Sequence, residues 1–313
     1  MRSRLEIWLL LLAALIGCFC FRGLAVAETK IRVGQTPAAS LAASYLAIEK
    51  GFFAKRGLDV ELQVITLNSN IPAALIAGSS DIGGTTPTVF LQAIDSGIDL
   101  VTVSGTNVTF AESKNSAIIA RNGSGIAVPA DFVGKKIGVP GLGALIHVSL
   151  RNWLAQHGVD YNAVNYVELA FPQQRDALQN GLVDAAVTVE PTYSRIINAG
   201  LGKDVGHAFD SLPRGTQTIL YSASRDWVNA HRDAVRAFHE ANEEGTRYAI
   251  EHLDEARAAV VKNLKLPPEA ARDIEMPKLS AQVTEKDLIV IAEIMTRQKM
   301  LRAPIDAGKL LFR

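Results

Sequence analysis

The feature of this sequence that most constrains its fold is a pattern of glycine and aspartate residues that occurs twice. The first copy begins with Gly-Leu-Asp-Val at residues 57–60 and ends at residues 78–83, and the second extends from residues 158–161 to residues 181–186. In each copy a short predicted helix ends at a glycine, and an apolar strand begins at the aspartate that follows. This repeated strand–helix–strand arrangement predicts two similar α/β lobes.

The first 27 residues have the pattern of a secretory signal peptide. Arg2 and Arg4 precede an apolar stretch at residues 7–21, and Ala-Val-Ala at residues 25–27 provides a small-residue cleavage site. We therefore expect an exported, periplasmic protein.

The chain has two cysteines, Cys18 and Cys20, and both lie in the predicted signal segment. Cys18 ends a Leu-Ile-Gly-Cys sequence that resembles a bacterial lipobox, so a lipid anchor at Cys18 is the alternative to cleavage after Ala27. The remaining chain is expected to lack disulfides and cysteine metal sites. Its length is ample for one or two hydrophobic cores.

The charge and motif content favours a binding protein over an enzyme or a nucleic-acid-binding protein. The chain has 32 basic and 32 acidic residues, without the basic face that nucleic acids require. The glycines Gly141 and Gly143 hint at a dinucleotide loop, but Ile146 replaces its third glycine. The six histidines show no metal-ligand spacing. We expect no catalytic residues, no metal and no cofactor.

Strand and helix signals alternate along the chain, which is typical of parallel sheets covered by helices. The polar, glycine-rich segment 121–125 predicts a crossing between lobes, and segment 212–215 predicts the return. We therefore predict that residues 28–122 and 216–313 form lobe one and residues 123–215 form lobe two. Each lobe is predicted to be a mostly parallel sheet flanked by helices.

Segment 47–60, which contains Gly-Phe-Phe and Gly-Leu-Asp-Val, closely resembles the corresponding segment of SsuA-like substrate-binding proteins. These proteins serve bacterial ABC importers for nitrate, sulfonates, taurine and related small molecules. The resemblance continues through residues 77–83, 131–140 and 181–186. It implies a two-lobed periplasmic-binding-protein type II fold, a small-molecule ligand and an inner-membrane ABC permease as partner. We also expect a monomer.

The candidate ligand site lies beyond the carboxyl ends of the predicted strands, where helix N-termini converge. The loops there carry mainly hydroxyl, amide and backbone groups, and none of them contains arginine. A charge-paired carboxylate or phosphate ligand is therefore less expected. The candidate ligand-binding residues are Gln35, Ser40, Asn68, Thr85, Thr86, Gly141, Gly143, Ala144, Phe171 and Glu190. For the polar residues, capping of their own helices is the structural alternative.

The sequence leaves several alternatives open. Glu190 is predicted either to bind an amine or ring N–H of the ligand or to brace a loop of lobe two, and Phe171 either stacks on the ligand or packs in the core. The ligand is a sulfonate, nitrate or taurine-like solute, or alternatively a pyrimidine-like nitrogen ring or amine. A sensory binding protein would have a similar sequence. In each case the lobes are expected to close on the ligand by a hinge motion.

Overall fold

The computed structural model describes residues 28–110 and 116–312. The predicted signal peptide and Cys18 lie outside the described residues. The strands are β1 (Thr29–Gln35), β2 (Leu58–Val64), β3 (Ile82–Thr85), β4 (Leu100–Val108), β5 (Ala117–Arg121), β6 (Lys136–Val139), β7 (Asn165–Glu168), β8 (Ala185–Val187), β9 (Gly202–His207), β10 (Gln217–Ser224) and β11 (Lys278–Leu279).

The α-helices alternate with these strands and extend to the C-terminal part of the chain. They are α1 (Ala42–Glu49), α2 (Ile71–Ile76), α3 (Pro87–Asp95), α4 (Leu145–Gln156), α5 (Phe171–Gln179), α6 (Thr192–Asn198), α7 (Arg225–Ala230), α8 (Arg232–Glu251), α9 (Leu253–Asn263) and α10 (Glu285–Arg297). Within the described ranges, no helix is both long and apolar enough to cross a bilayer.

The strands form two separate sheets, one in each lobe. The first has the spatial order β11-β4-β10-β3-β1-β2, and the second has the order β7-β6-β8-β5-β9. In the first sheet β1 pairs in parallel with β2 and β3, whereas β10 lies antiparallel between β3 and β4. In the second sheet β6 pairs in parallel with β7 and β8, whereas β5 lies antiparallel between β8 and β9. By strand direction four of the six strands in the first sheet and four of the five in the second run the same way, as predicted for mostly parallel sheets, whereas β5, β10 and β11 run the opposite way.

Local sequence signals fix the ends of several elements. The glycines after α2 and α5, Gly78 and Gly181, have φ values of 66° and 68°, which residues with a Cβ adopt at a cost. Thr284 caps α10, since its side-chain oxygen accepts a hydrogen bond from the N–H of Asp287 at 3.3 Å. The Asp287 carboxylate accepts in return from the N–H of Thr284 at 2.8 Å, which completes the predicted capping box.

The first crossing between the sheets lies earlier than the sequence division placed it. That division ended the first part of lobe one at residue 122, but β5 pairs with β8 and β9 in the second sheet. The chain therefore passes between the sheets after β4 and before β5. The glycine-rich segment 121–125 is instead a turn within lobe two, where Gly123 and Gly125 have φ values of 78° and 77°. A polar, glycine-rich break marks such a turn as readily as a crossing.

The two lobes share one hydrophobic cluster. Leu145 and Val148 of α4, which belongs to lobe two, pack in the same cluster as Phe90 of α3 and as Leu288 and Ile291 of α10. All five side chains are at most 1% exposed. The lobes are thus joined by apolar packing as well as by the chain crossings.

We predict that Gly245→Ala destabilises the first lobe. Gly245 lies inside α8, and a Cβ at this position would lie 2.6 Å from the Ala43 carbonyl oxygen and 2.8 Å from the Ala47 Cβ on α1. Because neither neighbour is a flexible side chain, we expect the unfolding free energy to fall by about 1–3 kcal/mol, although alanine is the better helix former by about 1 kcal/mol.

Urea denaturation followed by circular dichroism measures this effect. Arg247→Ala, at an exposed position of the same helix, is the control and should stay within about 0.5 kcal/mol of the parent. A Gly245→Ala variant as stable as the parent would refute the close packing of α8 on α1.

Candidate functional site

A cavity of about 70 Å³ lies between the two lobes, and we call it the central cavity. Its walls are formed by the loops that follow β1, β2, β3, β6, β7, β8 and β9, together with the ends of β4 and β10. It therefore lies at the carboxyl ends of the parallel strands, where ligands bind in open α/β sheets. This volume accommodates a few water-sized groups, which suits a small solute.

The two walls of the central cavity differ in chemistry. Lobe one contributes seven residues with hydroxyl or amide side chains, beside five apolar ones: Thr36, Ser40, Asn68, Thr86, Asn107, Thr109 and Thr218, and Ala38, Val108, Phe110, Ile219 and Pro277. Lobe two contributes mainly apolar residues: Pro140, Ala144, Leu145, Ile146, Phe171, Val189 and Phe209. A ligand in this cavity would therefore place its hydrogen-bonding groups against lobe one and an apolar face against lobe two.

Among the polar residues of the lining, Ser40 is the one most clearly available to a ligand. Its side chain is 7% exposed, and its Oγ has no hydrogen-bond partner among the described residues. A buried hydroxyl without a partner is costly, so a ligand group that bonds to it would stabilise the closed site.

Asn68 and Thr86 are already bonded to each other and to the backbone. The Asn68 Oδ1 accepts from the N–H and the hydroxyl of Thr86 at 2.9 and 3.1 Å, and its Nδ2 donates to the Gly84 carbonyl at 3.1 Å. The Thr86 Oγ1 also lies 3.5 Å from the N–H of Val89, as the cap of α3. Both side chains therefore shape the polar wall of the cavity as well as lining it.

The N-terminus of α4 is occupied by the other lobe. The Leu145 N–H donates to the Thr86 Oγ1 across the cleft at 3.4 Å. A helix N-terminus with free N–H groups is a favourable anion site, but in this closed arrangement a neutral hydroxyl of lobe one takes one of those N–H groups.

The lining of the central cavity carries no cationic side chain within the described part of the chain. Asp210 is the acidic residue of the lining, and it is exposed at the edge of the cavity. Three phenylalanines, Phe110, Phe171 and Phe209, lie around the same space. Neutral polar groups and aromatic rings therefore dominate the site.

Half of the sequence-predicted site residues line the central cavity, namely Ser40, Asn68, Thr86, Ala144 and Phe171. Two others face the interior of lobe one. The Gln35 Oε1 accepts from the Tyr221 hydroxyl at 3.1 Å, and the Thr85 hydroxyl lies 3.1 Å from that of Ser222. These two side chains brace the sheet below the cavity.

Gly141 and Gly143 shape the loop before α4 without lining the cavity. Gly143 has a φ of 82°, and a Cβ at this position would lie 2.6 Å from the Gln92 Oε1 of the opposite lobe. Its N–H donates to the Nδ1 of His147 at 2.9 Å. Burial, with a smaller contribution from the Arg151 charge, lowers the pKa of His147 to about 4, so a neutral imidazole holds this loop.

Glu190 braces the lobes outside the lining of the cavity. Its side chain is 1% exposed, and its Oε1 accepts from the Ser194 hydroxyl at 2.7 Å and from the Glu275 N–H of lobe one at 3.4 Å. Its carbonyl accepts from the Ala39 N–H of lobe one at 3.0 Å. Of the two predicted roles for Glu190, this geometry corresponds to the bracing role, extended to both lobes.

Several lining residues were not among the predicted set, including Asn107, Thr218, Phe209 and Asp210. Asn107 and Thr218 belong to β4 and β10, where polar side chains interrupt otherwise apolar strands, and this interruption is the signal that the sequence offered. Phe209 and Asp210 lie in a short helical turn at Ala208–Ser211, and no comparable pattern of residues marks this turn.

The described residues contain no group of three or more His, Cys, Asp or Glu side chains that could hold a metal ion. The groups that line the central cavity can hydrogen-bond, stack and exclude water. This chemistry is that of a binding site.

The sequence of this chain is similar to those of known proteins. Residues 38–256 match the family described as NMT1/THI5 like. The formylaminopyrimidine-binding protein of Halalkalibacterium halodurans is 25% identical over 256 residues, which cover 80% of this chain and 72% of that protein.

Two solved structures have similar folds. The alkanesulfonate-binding protein SsuA from Xanthomonas axonopodis pv. citri, bound to MOPS, superposes with a TM-score of 0.79 at 20% identity, covering 91% of this chain and 98% of that chain. The periplasmic nitrate-binding protein NrtA from Synechocystis PCC 6803 gives a TM-score of 0.78 at 18% identity, covering 90% and 86% of the two chains. The two-lobed periplasmic-binding-protein fold is thereby confirmed.

We predict a pH-dependent stability effect from Glu190. Burial raises the pKa of its carboxyl to about 7, so the protonated form is favoured in the folded protein. The resulting stabilisation is present in full below the unfolded pKa of 4.5 and is lost as the pH rises through 7. The free energy of unfolding of Glu190→Gln, relative to that of the parent, should therefore increase between pH 5 and pH 8 by up to about 3 kcal/mol.

Urea unfolding at pH 5 and pH 8 measures how the stability difference between Glu190→Gln and the parent changes with pH. Glu269→Gln replaces an exposed carboxylate with the same amide and serves as the control. A Glu190→Gln profile parallel to that of the parent would show that the Glu190 carboxyl is not held in its protonated form.

Proposed function

The chain belongs to the NMT1/THI5-like family, and from this membership we propose that it is an extracytoplasmic solute-binding protein that delivers a small organic solute to an ABC importer. The observation that carries the proposal is the central cavity, which is enclosed between two lobes at the strand ends and lined by groups from both. The relatives described above are named as binding proteins, which supports a binding role over a catalytic one.

The proposed mechanism is hinge closure around the solute. Lobe one comprises β1–β4 together with β10, β11 and the C-terminal helices, and lobe two comprises β5–β9 with α4–α6. A solute that contacts both walls has a higher affinity for the closed form and therefore shifts the population towards it. The permease in the inner membrane would then recognise the closed protein.

The proposal also assigns a location and an oligomeric state. Residues 1–27 direct export to the periplasm and are removed, with a lipid anchor at Cys18 as the alternative attachment. The mature protein acts as a monomer, since one chain supplies both walls of the central cavity.

The chemistry of the cavity favours an uncharged, flat organic solute over an oxyanion. Sulfonates and nitrate carry a negative charge, whereas the described lining contains no cation and its acidic residue, Asp210, would repel them. A nitrogen-containing ring of the pyrimidine type offers donors and acceptors along one edge for the polar wall of lobe one. Its ring face would contact Phe171 and the other apolar groups of lobe two.

We predict that formylaminopyrimidine stabilises the protein in a thermal-shift assay, whereas MOPS and nitrate do not. A ligand at 100 times its Kd adds about 2.7 kcal/mol to the stability of the folded form, which corresponds to a rise in Tm of about 4–5 °C for a chain of this size. A large shift with MOPS or nitrate and none with the pyrimidine would overturn the proposed ligand class but leave the binding role intact.

We predict that Ser40→Ala weakens the binding of formylaminopyrimidine without unfolding the protein. Ser40 lines the cavity and its hydroxyl has no partner among the described residues, so its loss removes about 1 kcal/mol of ligand hydrogen bonding, or roughly a fivefold change in Kd. Calorimetric titration measures this change. Ser79→Ala, at an exposed serine after α2, is the matched control, and an equal Kd for all three proteins would remove Ser40 from the ligand site.

A further inference from the structure

Two of the contacts between the lobes differ in chemistry and lie apart from each other. At the first, α4 of lobe two packs against α3 and α10 of lobe one in the shared apolar cluster. The Gln298 Nε2, just after α10, also donates to the Val148 carbonyl of α4 at 2.9 Å, and this bond is buried. Separation of the lobes at this place would expose fully buried aliphatic side chains to water, which is unfavourable.

At the second place, α6 of lobe two meets the segment 273–275 of lobe one through polar groups. The Asn198 Nδ2 donates to the Asp273 Oδ2 at 2.7 Å. The Ser194 hydroxyl lies 2.9 Å from the Asp273 carbonyl oxygen and 2.7 Å from the Glu190 Oε1. That same Oε1 accepts from the Glu275 N–H, so the contact is a connected set of hydrogen bonds between the lobes.

The second contact exchanges with water more easily than the first. Asn198 and Asp273 are exposed residues, and water can replace the hydrogen bond between them when the lobes separate. Charges on the two sides of the adjoining groove are also complementary, with Arg175 and Arg195 on lobe two and Glu269 on lobe one. Opening is therefore expected to break the polar contact while the apolar contact acts as the pivot.

The polar contact is separate from the lining of the central cavity. Ser194, Asn198, Asp273 and Glu275 do not line it. Val189, which does line the cavity, lies in the loop between β8 and α6 and is followed directly by Glu190. A change in the position of α6 would therefore move the apolar wall of the cavity relative to the polar wall.

We propose that Ser194, Asn198, Asp273 and Glu275, joined through Glu190, form a closure latch that sets ligand affinity from outside the ligand site. These residues are positioning residues, because they act through the closed arrangement and not through contact with the solute. The inference rests on the proposed binding function, whose affinity it explains in part. A latch stabilises the closed form even without ligand, so its loss lowers the fraction of binding-competent protein and raises the apparent Kd.

The test compares the parent with Asn198→Ala and with the double variant Ser194→Ala/Asn198→Ala. Asn180→Ala is the matched control, since Asn180 is an exposed asparagine at the end of the neighbouring helix α5. Small-angle X-ray scattering of the ligand-free proteins reports compactness, and calorimetric titration with formylaminopyrimidine reports Kd. We expect a larger radius of gyration and a roughly tenfold weaker Kd for the double variant, a smaller change for Asn198→Ala, and no change for the control.

The scattering result decides the latch independently of the ligand. If formylaminopyrimidine does not bind the parent, the proposed ligand class fails, but a less compact ligand-free double variant still supports the latch. An equal radius of gyration for the ligand-free parent and double variant overturns it.

Discussion

The arrangement of this protein depends on the two places where the chain passes between the sheets. β4 ends at the edge of the first sheet that faces the cleft, and β5 then begins at the corresponding edge of the second sheet. β5 must therefore run away from the cleft, which makes it antiparallel to its neighbours, and β10 does the same on the return. Because both crossings join cleft edges, they connect the lobes beside the cavity, where the proposed hinge would lie.

The two lobes contribute different chemical groups to the site. Lobe one presents hydroxyl and amide groups, of which the Ser40 hydroxyl is buried and without a partner in the described chain. Lobe two covers them with Phe171, Val189 and other apolar groups. In the proposed binding mode, the polar wall would recognise a solute and the apolar wall would shield it from water, which strengthens its hydrogen bonds by lowering the local dielectric constant.

Local signals made much of the fold predictable, and five of the ten predicted site residues line the central cavity. The positive φ values of Gly78 and Gly181 and the capping of α10 depend on neighbouring residues, so the sequence pattern was sufficient for them. The first crossing of the chain between the sheets and the position of Glu190 depend on contacts with residues that are far away in the sequence. Glu190 bonds to Glu275, 85 residues away, and no spacing rule connects such positions. The same holds for Phe209 and Asp210, which reach the cavity only through tertiary packing.

The central claim is that one solute is held by both lobes at once. Hydrogen–deuterium exchange with and without the compound that gives the largest thermal shift tests it most directly. The account predicts slower exchange in the loops of lobe one at residues 36–40 and 107–109 and, at the same ligand concentration, in the loops of lobe two at residues 140–146 and 189–194. Protection confined to one lobe, or located away from these loops, would contradict it.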